Sequence, residues 1–265
     1  MTGTDKVADI LRALGRHLLE WRASGKGSWR KDGSQYKADA DARADEFLRR
    51  ELVQLDRSIP IISEEDPASH TSRRPDLYWI IDPLDGTASF VEGFPGFVTQ
   101  VALVEHHRPV LACVFAPVTD ELFCAASGRG ATRNGLALTA DPSSRVVIDN
   151  YRIPSPIVRH AMTAVGSGQY VESGSIGLKM CRVADRTAGL FFKDVVVRDW
   201  DVAPGALILE EAAGSISSLD GTPFVFEGSY EKPGLVAASC EELLRSFVDW
   251  HSHAGRDAAK SDTRL

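Results

Sequence analysis

The stretch Trp79-Ile80-Ile81-Asp82-Pro83-Leu84-Asp85-Gly86-Thr87 decides how the rest of this chain is read. Its apolar, aromatic start has the character of a buried strand. The run stops at two carboxylates that bracket a Pro-Leu step, and Gly86 and Thr87 follow. Pro83 fixes φ and brings no N–H, while Gly86 permits a turn that other residues resist. A corner of that stiffness can aim Asp82 and Asp85 at one point. Two carboxylates held together repel each other unless a proton or a cation lies between them. Hard oxygen ligands at a strand end suit Mg²⁺, and Thr87 adds a hydroxyl beside them. An Asx-type turn capped by Thr87 is the simpler account of the same residues, and only acidic clusters elsewhere in the chain weigh against it.

The chain has 265 residues, 43% hydrophobic and 25% charged, enough for one large domain or two small ones with a real core. A net charge of −7 argues against a nucleic-acid polymer or an anionic membrane as partner, since both reward basic patches. A small anionic substrate stays open, because bound metal ions invert a local field. Cys113, Cys124, Cys181 and Cys240 stand in apolar surroundings without C-x-x-C spacing, as expected of reduced core thiols. The first residues lack the basic-then-apolar order of a signal peptide, and no apolar run approaches membrane-spanning length. The expectation is a soluble cytoplasmic protein.

Outward from the decisive stretch, Val7, Ile10, Leu11, Leu14, Leu18 and Trp21 share a helical face, with Gly25 as the stop. Residues 25–36 are polar and rich in Gly, Ser and Lys, and read as a mobile loop. A second helix is expected over 41–55, then a strand over 59–63 that leads into Glu64-Glu65-Asp66-Pro67. Further strands are expected over 77–81, over 97–104 and 109–116 as a hairpin around His106 and His107, and over 122–126. The polar, Pro-containing segment 139–145 is the candidate boundary between a half over 1–140 and a half over 141–265. Beyond it, strands are expected over 146–148, 161–165 and 190–192. A helix over 202–213 should end at Gly214, and the residues from 252 should fray.

Carboxylates recur where apolar segments begin or end: Asp41 at the second helix, Glu64 and Glu65, Asp82 and Asp85, and Asp201 in Arg198-Asp199-Trp200-Asp201-Val202-Ala203-Pro204-Gly205. Rigid scaffolds display functional groups at such places. Singly, each has a structural account: Asp201 as an N-cap, Asp41 favouring a helix dipole, Glu64 and Glu65 in a solvated loop. Their joint occurrence favours a shared cation. No G-x-S-x-G occurs and no Cys has a neighbouring His, so a covalent nucleophile is not indicated, and His106 and His107 read as polar turn residues.

At these motifs the chain resembles the inositol monophosphatase superfamily of metal-dependent phosphomonoesterases. Its signatures, W-x-[IV]-D-P-[IL]-D-G-T and W-D-x-A-x-G preceded by a strand ending in E-E, stand here as residues 79–87, 200–205 and 63–65. The similarity runs from the first helix to at least Gly221. The resemblance implies a layered αβαβα fold of α+β and α/β halves, the first carrying most metal ligands and the second Asp201. It implies that Glu64, Asp82, Asp85 and the Leu84 carbonyl ligate Mg²⁺, that Asp201 shares a second ion, and that two or three ions bind. Thr87, oriented by Asp41, would position the attacking water, with Glu64 beside them among the catalytic residues. The N–H groups of Gly86 and Thr87 would hold phosphate oxygens. Gly174, Ser175 and Asp194 fall where the family contacts the leaving group, Asp194 at the place of an acidic residue that binds a sugar hydroxyl. Inhibition by Li⁺ and a homodimer are further implications.

The chain departs from the family pattern at Ala38, where a Thr is usual, which weakens the expected support for the Asp41–Thr87 pairing. Lys31 stands where members often carry a basic residue near a third metal, and a solvated Lys is an equal account of it. The substrate stays divided between two branches. Leu84, the run 62–67 and Leu178-Lys179-Met180-Cys181 look like the branch that removes the 3′-phosphate of 3′-phosphoadenosine 5′-phosphate, where Lys179 would pair with a second phosphate. A surface Lys after a Gly-rich turn is the alternative for Lys179. Residues 88–91, residues 93–95 and Asp194 look more like inositol or histidinol phosphate members. A pathway-specific sugar or nucleoside phosphate is a third option. The competing class is a non-catalytic binding protein on the same fold, disfavoured because every ligand carboxylate is present and mutually repelling carboxylates are costly without metals.

Overall fold

The computed structural model describes residues 3–24, 29–32, 35–71 and 73–261. Helix α1 (Gly3–Ala23) forms on the expected stripe, with Val7, Leu11, Leu14 and Leu18 all buried. The stretch expected to be a loop contains instead a short antiparallel pair, β1 (Trp29–Asp32) and β2 (Gln35–Ala38). Lys31 lies within β1, its side chain outside the described ones. Helix α2 (Asp39–Leu55) starts two residues before the sequence suggested, and Ala44, Leu48 and Leu52 face inward.

A seven-stranded sheet follows: β3 (Ile61–Ser63), β4 (Leu77–Asp85), β5 (Val98–Glu105), β6 (Arg108–Ala116), β7 (Glu121–Ala126), β8 (Ala131–Arg133) and β9 (Leu136–Ala137), in chain order across the sheet. Only β3 and β4 are parallel; every other neighbouring pair is antiparallel. Strand β4 does not end at Ile81. It runs on through Pro83 to Asp85, and its register against β5 shifts between Asp82 and Asp85. A bulge there accommodates a proline that cannot donate to the ladder, and it re-aims the two carboxylates. The β5–β6 hairpin turns through His106 and His107, both exposed and both at positive φ, 46° and 65°. Two left-handed residues in a two-residue loop match the twist of the flanking strands.

After residues 138–146 come β10 (Val147–Asp149), β11 (Tyr170–Glu172), β12 (Leu190–Lys193), β13 (Val197–Arg198), β14 (Ser215–Ser217), β15 (Glu231–Lys232) and β16 (Leu235–Ala238). Five of them form a second sheet in the order β11-β10-β12-β16-β14, with β10 parallel to both neighbours. The pair β13 and β15 forms a separate antiparallel ribbon. Helices α3 (Thr87–Glu92), α4 (Pro156–Ala164), α5 (Ile176–Ala184), α6 (Asp199–Glu211) and α7 (Glu241–Ser261) complete the chain. The strand expected over 161–165 is the end of α4, which Ser155 caps and Pro156 opens. Val158 and Ala161 face inward from it at helical spacing. The stretch from 252, expected to fray, continues α7 to Ser261.

Period-two alternation places three apolar layers between these elements. Trp79 and Ile81 of β4 join α1 and α2 in one core; Tyr78 and Ile80 join α5 and α6 in another. In the second sheet, Ile148, Phe191 and Ala237 face that same middle core. Val147, Leu190, Phe192, Val236 and Ala238 face α4 and α7. The layers are therefore helices, sheet, helices, sheet, helices, as the family resemblance implied. Helix α6 is buried nearly all round because a sheet covers it on both sides. Among the described residues no helix is long and apolar enough to cross a membrane.

Candidate active site

The ends of β3 and β4 and the start of α6 meet at a cleft of about 720 Å³ lined by Asp41, Glu64, Gly86, Thr87, Trp200 and Tyr230, among others. Glu64, Asp82 and Asp201 each bring a carboxylate oxygen to within 4.8 Å of the others. Each arrives by a different local device. Glu64 follows β3, and its N–H donates to Ile81 O at 3.2 Å. Asp82 sits at the bulge, where its Oδ1 accepts the Leu84 N–H at 3.1 Å. Asp201 is not an N-cap but the third residue of α6, and its Oδ2 accepts the Arg198 N–H at 3.0 Å.

The cluster is short of positive charge. Burial, then Glu65 and Asp85, push the Glu64 carboxyl up to about 7. Burial, then Glu64, Asp85 and Asp201, push Asp82 well above the carboxylate range. Burial, then Asp85 and Glu64, do the same to Asp201. Asp82 Oδ2 is buried with no hydrogen-bond partner. A buried carboxylate oxygen without a partner, among like charges, is stabilised only by a proton or a cation. All-oxygen donors at strand ends fit Mg²⁺, so the residues present fit the metal the motifs implied.

Asp85 joins the cluster electrostatically but turns one oxygen away. Its Oδ2 accepts from Gln100 Nε2 at 3.0 Å and from the Gly177 N–H at 3.2 Å. Burial raises its carboxyl to about 6, against the lowering effect of Gly177, Lys179, Ser175 and Gln100. Thr87 Oγ1 donates to Asp41 Oδ1 or to Leu84 O, each at 3.3 Å, so the two residues meet despite Ala38. Asp41 is only 5% exposed. Gly86 takes φ +90°, which turns the chain so that α3 starts at Thr87 over the cleft.

The other expected contacts lie on the second half. Ser175 donates its N–H to Gly96 O at 2.8 Å and caps α5 through Oγ. Gly174 lies so close to Gly96 that a Cβ would overlap its carbonyl. Lys179 is neither a surface residue nor open to solvent. It is fully buried, its Nζ donates to Gly174 O at 2.7 Å and to Asn150 Oδ1, and it lies 4.9 Å from the Phe191 ring centre. Burial, then the neighbouring Lys193 charge, pull its ammonium down to about 7. Asp194 is exposed at the end of β12, beside exposed Val195 and Val196.

Sequence reasoning missed several residues around the site. Arg74 is 2% exposed and faces Asp199 at 2.5 Å, the carbonyls of Gly228 and Ser229, and the Tyr230 ring at 4.0 Å. His70 Nε2 donates to Ser63 O, 2.7 Å away, and its ring stacks on Trp200 at 4.6 Å, so it bridges the segments that carry Glu64 and Asp201. Lys193 lies 3.5 Å from Asp149. Gln100 touches both halves of the site. Of these only Gln100 carried a signal, an amide inside the apolar run 97–104.

With this geometry in hand, comparison with known proteins is consistent. The Inositol monophosphatase family model matches residues 8–254. Inositol monophosphatase 2 of Solanum lycopersicum is 32% identical over 225 residues, 80% of this chain and 83% of that protein. The 3′(2′),5′-bisphosphate nucleotidase CysQ of Escherichia coli O157:H7 is 30% identical over 241 residues, 87% of this chain and 97% of that protein. The Thermotoga maritima IMPase superposes with a TM-score of 0.78 at 22% identity, covering 94% of this chain and 98% of its own.

Proposed function

The chain belongs to the inositol monophosphatase family, a family of metal-dependent phosphomonoesterases, and on that premise we propose that it hydrolyses a small phosphate monoester carrying a second anionic group, of the 3′-phosphoadenosine 5′-phosphate type. The observation that carries the hydrolysis is the partnerless buried oxygen of Asp82 amid Glu64 and Asp201. The observation that favours a second anion is the convergence of two ammonium groups on the end of β10, Lys179 Nζ on Asn150 Oδ1 and Lys193 Nζ 3.5 Å from Asp149 Oδ1, whose charges an incoming phosphate would offset. Lys193, 22% exposed, would meet it, with Lys179 behind supplying field rather than a direct contact. The name of the Escherichia coli relative supports this branch, and that of the Solanum lycopersicum relative supports an inositol phosphate.

In this reading Glu64, Asp82, Asp85, Asp201 and the Leu84 carbonyl hold two or three Mg²⁺ ions. An ion held by these residues would supply charge to neutralise the phosphate dianion, lower the pKa of a water and stabilise the departing alkoxide. The Thr87 hydroxyl, with Asp41 as its acceptor, orients the attacking water for in-line approach. The N–H groups of Gly86 and Thr87 take phosphate oxygens at the start of α3. Gly174 and Ser175 border the leaving group. No side chain forms a bond to phosphorus. The same proposal carries Li⁺ inhibition, a homodimer and a cytoplasmic address.

The test is phosphate release with Mg²⁺ on 3′-phosphoadenosine 5′-phosphate, inositol 1-phosphate, histidinol phosphate, fructose 1,6-bisphosphate and AMP. Preference for the bisphosphorylated nucleotide is the expected result. Preference for inositol 1-phosphate would move specificity to Asp194 and make Lys179 and Lys193 purely structural. No release from any of them, together with no Mg²⁺ binding, would favour the non-catalytic reading.

A further inference from the structure

Gln100 stands in the middle of β5 and is fully buried, in a strand whose other inward residues are apolar apart from Thr99. An amide in that place needs a reason, because an unpaired buried polar group is costly. Its Nε2 makes two hydrogen bonds. One goes to Asp85 Oδ2 at 3.0 Å, and the other goes to the Trp200 carbonyl at 3.2 Å. The two acceptors belong to opposite halves of the site. Asp85 ends β4, and Trp200 precedes Asp201 in the first turn of α6.

Inside a helix the Trp200 carbonyl would ordinarily accept the N–H four residues on. That residue is Pro204, which has no N–H. The proline therefore leaves the Trp200 carbonyl without its helical donor, in a buried place, and the Gln100 amide supplies one from the neighbouring sheet. The local sequence of α6 and a single residue of β5 are thus complementary. Gly177 completes the unit. Its N–H donates to the same Asp85 oxygen, and a Cβ at 177 would collide with Gln100 Oε1. A side chain at 177 would push the Gln100 amide out of the place from which it makes these bonds.

We propose that Gln100 is a positioning residue that sets the spacing between Asp85 and the Asp201 turn, and that Pro204 creates the vacancy it fills. Gln100 touches neither substrate nor attacking water. It acts by holding one carboxylate in orientation and by anchoring the backbone next to another. This rests on the reading of Asp85 and Asp201 as Mg²⁺ ligands. Residues that orient ligands in this way carry much of the affinity of a metal site.

The test is a double-mutant cycle with Gln100→Ala, Pro204→Ala and the double variant, read by calorimetric Mg²⁺ binding to metal-stripped protein as well as by kcat and KM. Gln100→Ala is expected to weaken Mg²⁺ binding by about tenfold or more. Pro204→Ala restores an N–H at position 204, which can serve the Trp200 carbonyl within the helix. The double variant should therefore recover at least about half of the lost affinity on a logarithmic scale, a coupling that independent sites do not show. Gln100→Asn, whose amide is one carbon shorter and reaches only one acceptor, is expected to fold and to fall between wild type and Gln100→Ala. Wild-type Mg²⁺ affinity in Gln100→Asn, or simple additivity in the cycle, would overturn the role of Gln100 while leaving the metal site standing. A wild-type protein that binds no Mg²⁺ would overturn the metal site and this inference together.

Discussion

Two clusters of wholly or partly buried charge among the described residues behave oppositely. In one, Glu121 and Asp185 face Arg133 and Arg182, with Arg182 Nη1 and Arg133 Nη1 both 2.9 Å from Asp185 Oδ2 and Arg182 Nη2 on Glu121 Oε2. Hydrogen bonds from Arg182, against the opposing effect of burial, hold Glu121 below the usual carboxylate range. Burial would lower Arg182, but Glu121 and Asp185 raise it. In the other group, Glu64, Asp82, Asp85 and Asp201 share one place and all four are pushed up. Charges that balance internally tie β7 and β8 to α5. Charges that do not balance require something from solution. The imbalance, rather than the presence of charge, is what makes the second group the candidate site.

Removing one charge from each group should have opposite consequences. Asp82→Asn should lower kcat by about a thousandfold if Asp82 is a metal ligand as proposed. Yet in EDTA at pH 8 it should melt above the wild type, because a repelled buried carboxylate is gone. A thermal melt with and without Mg²⁺ reads both effects. An Asp82→Asn protein that melts lower than wild type in EDTA would show that the cluster is not repulsive. In the balanced group the signs reverse. Arg182→Ala should cost about 2–3 kcal/mol of stability in urea denaturation, because Glu121 loses its principal partner while Arg133 still attends Asp185. At moderate temperature its kcat should stay within about threefold of wild type, as expected of a residue with no part in transition-state binding.

The unbalanced group was legible in the sequence and the balanced one was not. Asp82, Asp85, Gly86 and Thr87 are contiguous, and Glu64 and Asp201 each sit in a short motif of their own, so local chemistry announced them. Arg74 and Asp199, or Glu121 and Arg182, are ordinary charged residues until folding brings them together, and no local pattern marks such a pair. Gln100 could be suspected from its apolar neighbours, but not its partner Pro204. The strand misread over 161–165 has the same origin. Five residues of Ala, Met, Thr and Val fit either period, and the Ser155-Pro156 start that decides for a helix lies outside that window. The β4 bulge was hidden because Pro83 reads as a stop, whereas the parallel partner β3 has already ended opposite Ile81 and leaves the strand free to continue.

The pH dependence sharpens the contrast further. In the metal-free protein, Glu64 at about 7 and Asp85 at about 6 hold protons that the unfolded chain has released. Groups whose folded pKa is raised contribute stability that is complete below their unfolded values and is lost as pH rises through the folded ones. Metal-stripped protein should therefore lose roughly 2 kcal/mol between pH 5 and pH 8, an order-of-magnitude figure for the set. Saturating Mg²⁺ should flatten or reverse that slope, because the ion replaces the protons. Urea midpoints at the two pH values, in EDTA and in Mg²⁺, test this. An unchanged slope on adding Mg²⁺ would mean that the ion does not bind where the protons are.

The smallest effect is expected where the two kinds of charge meet. Lys179 is a lone buried ammonium whose attraction to Asp85, Asp201 and Asp149 opposes the burial and the Lys193 repulsion that pull it down. Lys193 is the accessible member of this pair and is partly satisfied by Asp149 at 3.5 Å. If a second substrate phosphate docks there, Lys193→Met should raise KM for 3′-phosphoadenosine 5′-phosphate by about tenfold with little change in kcat, the signature of lost uniform binding. KM for a substrate with a single phosphate should not rise with it, because nothing then faces position 193. A matching rise for both substrates would make Lys193 a structural partner of Asp149. No rise for either would leave the Lys179–Lys193 wall without a ligand and return specificity to Asp194. The methionine keeps the apolar stem that packs at the end of β12, so a fall in KM rather than a rise would identify the wall as a place where positive charge opposes the true substrate.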